Sequence, residues 1–278
     1  MSIDQDYLRL IDRLAATQRT PEITALYLPT LIEDGEYRDE FGFVFLADGS
    51  IGPFYVSLKP VLATLWQRYP QAEGVRLGAV VTARRLAGGD LAERALALGA
   101  FNAMSRRLMR RAGYEPPDRG PAKEGVSTMP GVPIGIVGYF APVIDRLVAR
   151  GSDVLVLEQQ PERVPDRPHV QLTTRPADLA ACSKVLCTAS VLINDTLDEL
   201  LAACPHAGSF HLIGPSGSGL PDVLFERGVS SVGGIVFDDP DRLLACMARG
   251  DSWGTAGRKY EIRRSEYPGV ERLIAGSA

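Results

Sequence analysis

"VPIGIVGYFAPVIDRLVARGSDVLVLE", residues 132–158, is the stretch whose reading decides the fold. "VPIGIV" is a nearly continuous apolar run, as expected of a strand buried on both faces. "APVIDRLVARG" then takes up helical spacing and stops at Gly151, and "DVLVLE" is a second apolar run. Strand, helix and strand in so short a span predict a right-handed βαβ unit with parallel strands. The rhythm continues toward the C-terminus. "HVQLT", a short helix from Pro176, "KVLCTA", "DTLDELLAAC", "SFHLIG", "LPDVLFERG", "SVGGIVF" and "DPDRLLACMARG" alternate strand with helix. This half is therefore predicted to be an open parallel sheet with helices on both faces.

Toward the N-terminus the pattern differs. Tyr7, Leu8, Leu10, Ile11 and Leu14 recur at helical spacing over residues 4–16. "FGFVFLADGSIGPFYVSL" predicts a hairpin turning at Asp48-Gly49, and "GVRLGAVV" reads as a further strand. A long helix follows, with Asp90 as N-cap and Gly113 as its stop. Residues 114–133 are dense in Pro, Gly and charge, which suits a connector. The expected organisation is an α/β protein. An α+β N-terminal domain spans 1–115, a linker 116–131, and a Rossmann-like ligand-binding domain 132–278.

Composition restricts the function. The chain is 45% hydrophobic and 23% charged, ordinary for a globular protein with a real core. A net charge of −4 gives no support for binding nucleic acid or an anionic membrane. The first residues carry acids early, unlike a signal peptide, and the longest apolar run is broken by Gly and Pro. A cytoplasmic location is expected. Cys182, Cys187, Cys204 and Cys246 form no C-x-x-C pair and read as buried thiols. His169, His206 and His211 are equally dispersed, so a preformed structural zinc site is not expected.

Ligands of open α/β sheets settle outside the carboxyl ends of the strands, where the strand order reverses. That rule selects Gly138, Tyr139 and Phe140, then Glu158, then Thr188, Ser190 and Asn194, then Gly214, Pro215, Ser216, Gly217 and Ser218. Glu158 ends the second strand, where a carboxylate commonly receives ribose hydroxyls; the plainer reading is a solvated strand end. The first loop lacks the glycines of a dinucleotide fingerprint. "GPSGSGLP", residues 214–221, fits the frame of a phosphate loop but has Leu220-Pro221 where lysine and serine would stand. ATP hydrolysis is not expected of it. It reads either as an anion nest or as a glycine turn leading into a helix at Pro221. Asn194 or Asp195 also reads as a helix cap. Asn102, an amide in the apolar helix stretch "LGAFNAMS", must find buried partners or face a cleft.

"LIGPSGSGLPDVLFERGVSSVGGIVFDDPDRLL", most strongly, with "VGYFAPVIDRL" and "TASVLINDTLDELL", resembles segments of a family of Rossmann-like proteins labelled for heavy-metal chelation. "LGAFNAMS" is similar to that family's N-terminal domain, which resembles the small enolase N-terminal domain. The resemblance implies a cleft between two domains and a homo-oligomer, with a dimer expected. It maps onto Asn102, Gly138, Tyr139, Thr188, Asn194, Gly214, Pro215, Ser216, Gly233 and Gly234 without assigning them chemistry. Three functions follow as expectations. The first is a binding protein for a heavy metal, a metal chelate or a small anionic metabolite. The second is an enzyme using a nucleotide-like cosubstrate of nucleotide or S-adenosylmethionine type. The third is an assembly or regulatory module. A metal ion or a nucleotide-like ligand is the cofactor class in view.

Overall fold

A computed structural model of the chain describes residues 2–17, 19–31, 40–118 and 131–277. The N-terminal part contains α1 (Ile3–Thr17), β1 (Ile23–Tyr27), β2 (Phe41–Leu46), β3 (Ile51–Tyr55), α2 (Val61–Arg68), α3 (Ala79–Ala83) and α4 (Leu91–Arg111). β1, β2 and β3 form a three-stranded antiparallel sheet in that order. The hairpin turns at Asp48-Gly49, as its sequence predicts, with Gly49 at φ +82°. The strand expected of "GVRLGAVV" does not form. Leu77 alone bridges to Ile23, and Ala79–Ala83 is helical. A short apolar run looks the same whether it is a buried strand or a buried helix.

α4 is the hub. Asp90 accepts from the N–H groups of Ala92 and Glu93 while Glu93 reaches back to the Asp90 N–H, a complete capping box. Gly113, at φ +65°, ends it. The helix is buried on most of its circumference. β3 lies so close to it that a Cβ on Gly52 would stand 2.0 Å from the Gly99 carbonyl oxygen.

The second part runs β4 (Ile134–Val137), α5 (Ala141–Val148), β5 (Val154–Leu157), β6 (Val170–Thr173), β7 (Lys184–Thr188), α6 (Leu197–Ala203), β8 (Ser209–Ile213), α7 (Asp222–Glu226), β9 (Ser231–Val236), α8 (Pro240–Ala248), β10 (Arg258–Arg263) and α9 (Val270–Gly276). Its sheet has the order β6-β5-β4-β7-β8-β9-β10. All neighbours are parallel except β10, which runs antiparallel to β9. Chain order grows outward in both directions from β4 and β7, so the switch point lies between them. The mostly parallel sheet flanked by helices is the α/β fold the sequence predicts.

The largest buried cluster takes Tyr7, Phe54 and Phe101 from the first half with Cys187, Leu212, Leu224 and Phe225 from the second. α6 and α7 cover that face of the sheet. On the other face α5 packs over Ile136 and Leu186, and α8 packs over Ile235. Residues 119–130, most of the expected linker, lie outside the described residues. Before them the chain is fixed along β10: Asp118 bridges Tyr260, and Pro117 O accepts from Glu261 N. Among the described residues no helix is long and apolar enough to cross a membrane.

Candidate functional site

The carboxyl ends of β4, β7 and β8 meet at the switch point, bringing Gly138, Thr188 and Gly214 into one row. Register carries this: Val137 pairs with Cys187, and Thr188 with Ile213. Gly138 adopts φ +86° and Gly214 φ +119°, conformations open to glycine and costly for other residues. A Cβ on Gly138 would stand 3.2 Å from Thr188 Cγ2. The glycine is thus what lets the two strand ends converge. Gly138, Tyr139, Phe140, Thr188, Ser190, Gly214 and Pro215 are all half-buried and line one edge.

Thr188 accepts from the Ser190 N–H, and the two hydroxyl oxygens lie 2.9 Å apart at the head of a short 3-10 turn. The buried Arg94 of α4 locks this turn from behind. Its Nε donates to Ile193 O at 2.7 Å, and its terminal nitrogens hold Asp4. Asn194 lies past the turn, exposed, with its Oδ1 accepting from Thr196 at 2.8 Å.

Farther along the edge, Glu158 is only 8% exposed. Its Oε1 accepts from Gln160 N at 3.0 Å, and its Oε2 faces Arg163 at 3.5 Å. A carboxylate this buried needs such a counter-charge. The buried Tyr55 of β3 lies within electrostatic reach of Glu158 and Arg163. Burial pushes its phenol up, opposed by the nearby Arg163 guanidinium and the Ser57 hydroxyl. The backbone N–H of Tyr55 is meanwhile fixed to the β8 loop. β3 therefore spans the carboxyl edge from the end of β8 toward the end of β5.

The glycine loop is a joint. Asn102 Nδ2 donates to Pro53 O at 2.8 Å and to Ser216 O at 3.0 Å, and Ser216 Oγ accepts from Tyr55 N at 3.0 Å. Ser218 Oγ donates to Pro215 O and accepts from Ile235 N at 3.0 Å. Gly217 is buried, and a Cβ on Gly219 would lie 2.4 Å from the Phe101 ring. Asn102, Ser216 and Ser218 thus have polar atoms committed to protein partners: Asn102 and Ser216 satisfy the outer edge of β3, which no described strand covers, and Ser218 ties the loop to β9.

Of the residues selected from sequence, the structure gathers Gly138, Tyr139, Phe140, Glu158, Thr188, Ser190, Gly214 and Pro215 along the open edge. It places Asn102, Ser216, Gly217 and Ser218 behind that edge, and Asn194 outside it. Sequence reasoning missed Tyr55, Ser57, Arg94 and Arg163. The strand-end rule does not reach an antiparallel strand from another sheet. Arg163 had one signal, the need of a buried Glu158 for a nearby cation.

A soft metal asks for thiolate and imidazole donors. Among the described residues no three His, Cys, Asp or Glu side chains come together as a ligand set. Burial pushes the thiols of Cys182 and Cys204 up to about 11 and raises that of Cys187 well above the ordinary thiol value. They are protonated at neutral pH and packed in the core, as the spacing of the cysteines predicts. These residues do not fit direct chelation of a soft metal.

The profile of the DUF364 family, described as "Putative heavy-metal chelation", matches residues 121–265. A DUF364 protein of unknown function from Pyrococcus horikoshii is similar in fold, with a TM-score of 0.64 at 18% identity over 92% of this chain and 99% of its own. Another from Desulfitobacterium hafniense has a TM-score of 0.64 at 19% identity over 94% of this chain and 99% of its own. No curated protein matches the chain.

Proposed function

Since the chain belongs to the DUF364 family while its own residues assemble no soft-metal ligand set, we propose that it binds a small oxyanionic ligand, free or as a metal chelate. The ligand sits at the carboxyl edge between β4, β7 and β3. The observation that supports this most is the convergence of Gly138 and Thr188 at the switch point. The groups there are hydroxyls (Tyr55, Ser57, Thr188, Ser190), one guanidinium (Arg163) and one carboxylate (Glu158). Such a set suits the oxygen atoms of a ligand better than a bare soft cation. In this reading the metal enters with donors supplied by the chelator, and Arg163 meets the chelator's charge. No specific observation favours the nucleotide-using enzyme or the assembly module.

Calorimetric titration separates the possibilities. Citrate, inorganic phosphate, cadmium ion alone and cadmium citrate are the probes. Citrate or its cadmium complex is expected to bind, and Arg163→Gln to weaken that binding at least about ten-fold, the loss of one charge-assisted contact. Stoichiometric binding of cadmium alone, unaffected by Arg163→Gln, would overturn the proposal.

A further inference from the structure

The Thr188 and Ser190 hydroxyls of the proposed site stand at a short 3-10 turn, Ala189–Leu192, and not on a long helix. The backbone N–H groups of Ile193 and Asn194 turn back to Ser190 O, and that of Thr196 to Val191 O. The next two carbonyls, of Leu192 and Ile193, are taken by a side chain of the N-terminal half. Buried Arg94 of α4 places all five of its guanidinium N–H groups. Nε donates to Ile193 O at 2.7 Å, and Nη2 donates to Leu192 O at 3.4 Å. Nη1 and Nη2 hold the two oxygens of Asp4 at 2.8 and 3.1 Å, and Nη1 also donates to Leu86 O.

The anchor is itself held. Asp4 lies in the first turn of α1, and two residues on, Asp6 pairs with Arg9 and Arg227. Arg227 Nη1 stands 3.3 Å from Asp198, in the first turn of α6. Two arginines therefore tie the first turn of α1 to both ends of the segment 192–198. Between them Asp195 takes φ +59°, a left-handed conformation uncommon outside glycine. Apolar packing would join α4 to the sheet without desolvating a guanidinium. A planar fork adds what such packing lacks, a fixed position and angle for two carbonyls.

We infer, resting on the proposed binding of an oxyanionic ligand at this edge, that Arg94 is a positioning residue of the site. It does not touch the ligand. Through the carbonyls of Leu192 and Ile193 it fixes the turn, and so aims the Thr188–Ser190 hydroxyl pair. Hydroxyls on a loose turn would have to be ordered by the ligand itself, which lowers affinity.

The test uses the full chain, citrate and cadmium citrate as probes, and conditions in which circular dichroism shows each variant folded. Arg94→Lys keeps a charge beside Asp4 and loses the fork. It should weaken the bound probe at least about five-fold in calorimetry. It should also speed hydrogen exchange of the Ile193 and Asn194 amides at least about ten-fold. Asp4→Asn keeps the carbonyl bonds but loosens their anchor; it should show both effects at smaller size, and it serves where Arg94→Lys does not fold. Asp90→Ala, at the cap of the same helix, lowers stability and should leave both readouts unchanged. Equal affinity in wild type, Arg94→Lys and Asp4→Asn, or an equal loss in Asp90→Ala, would overturn the positioning role and leave the binding proposal standing. A wild type that binds neither probe would overturn the binding proposal, and the positioning role with it.

Discussion

Asn102 ties two elements together through one side-chain nitrogen. Its amide nitrogen holds a carbonyl of β3 and a carbonyl of the β8 loop at once. Asn102→Ala leaves both carbonyls buried and unpaired, at about 1–3 kcal/mol for such groups, and opens a small void. A loss of about 2–4 kcal/mol is expected, read as a lower urea midpoint with unchanged slope. Gly138→Ala forces a side chain into φ +86° and against Thr188. It should cost about 1–3 kcal/mol and weaken cleft ligands in the same titrations. His211 makes a prediction about pH. Its folded pKa, about 4, lies below its ordinary 6.5, so the unfolded chain binds the extra proton over that interval. The stabilisation is complete above pH 6.5 and is lost as pH falls toward 4, amounting to on the order of 3 kcal/mol. His211→Gln should flatten that limb of the stability–pH curve. An unchanged slope would show that the ring is solvated.

Among the elements, α4 shows how local signals and tertiary demand agree. Asp90 caps it, and the Arg68 guanidinium with the Glu93 N–H holds the Asp90 carboxyl at about 2. Asp90→Ala should lower stability by about 1 kcal/mol. The wild-type advantage is full above the ordinary carboxylate value of 3.8 and fades as pH drops through about 2. Chemical denaturation of both proteins across that range measures the difference. The Asp90 cap, hairpin turn and βαβ rhythm were legible in sequence because each is encoded within a few residues, whereas the cap expected at Asn194 or Asp195 is not found: Thr196 precedes α6 and makes no side-chain capping bond. β10 was not: "RKYEIR" buries only Tyr260 and Ile262 and owes its strand to pairing with β9. The same reason explains the misread "GVRLGAVV", where a single bridge at Leu77 replaces a strand. Local composition cannot distinguish such outcomes, because long-range pairing decides them.

For the molecule as a whole, the strand order β6-β5-β4-β7-β8-β9-β10 puts the switch point between β4 and β7. That much followed from reading alternate elements in sequence and applying the strand-end rule. The facing wall did not follow, because β3 is brought there by the packing of another sheet. A ligand bound at the proposed site would touch residues of both sheets and should stabilise them together. At a hundred times its dissociation constant it is expected to add about 2.7 kcal/mol, seen as one cooperative transition moving upward. A split into two transitions, only one of them shifted, would place the ligand on one sheet alone.

The contact between Gly52 and Gly99 bears on how the family should be compared. A side chain on Gly52 meets the helix backbone, and one on Gly99 meets Phe54 at 2.4 Å. Neither clash can be relieved by changing the other residue. Across relatives, invariance at these two positions would record a packing constraint and say nothing about chemistry. Variation that follows the ligand should gather instead at Tyr139, Phe140 and Arg163, half-buried residues at the proposed ligand edge. Those columns are where subfamilies with different ligands should diverge.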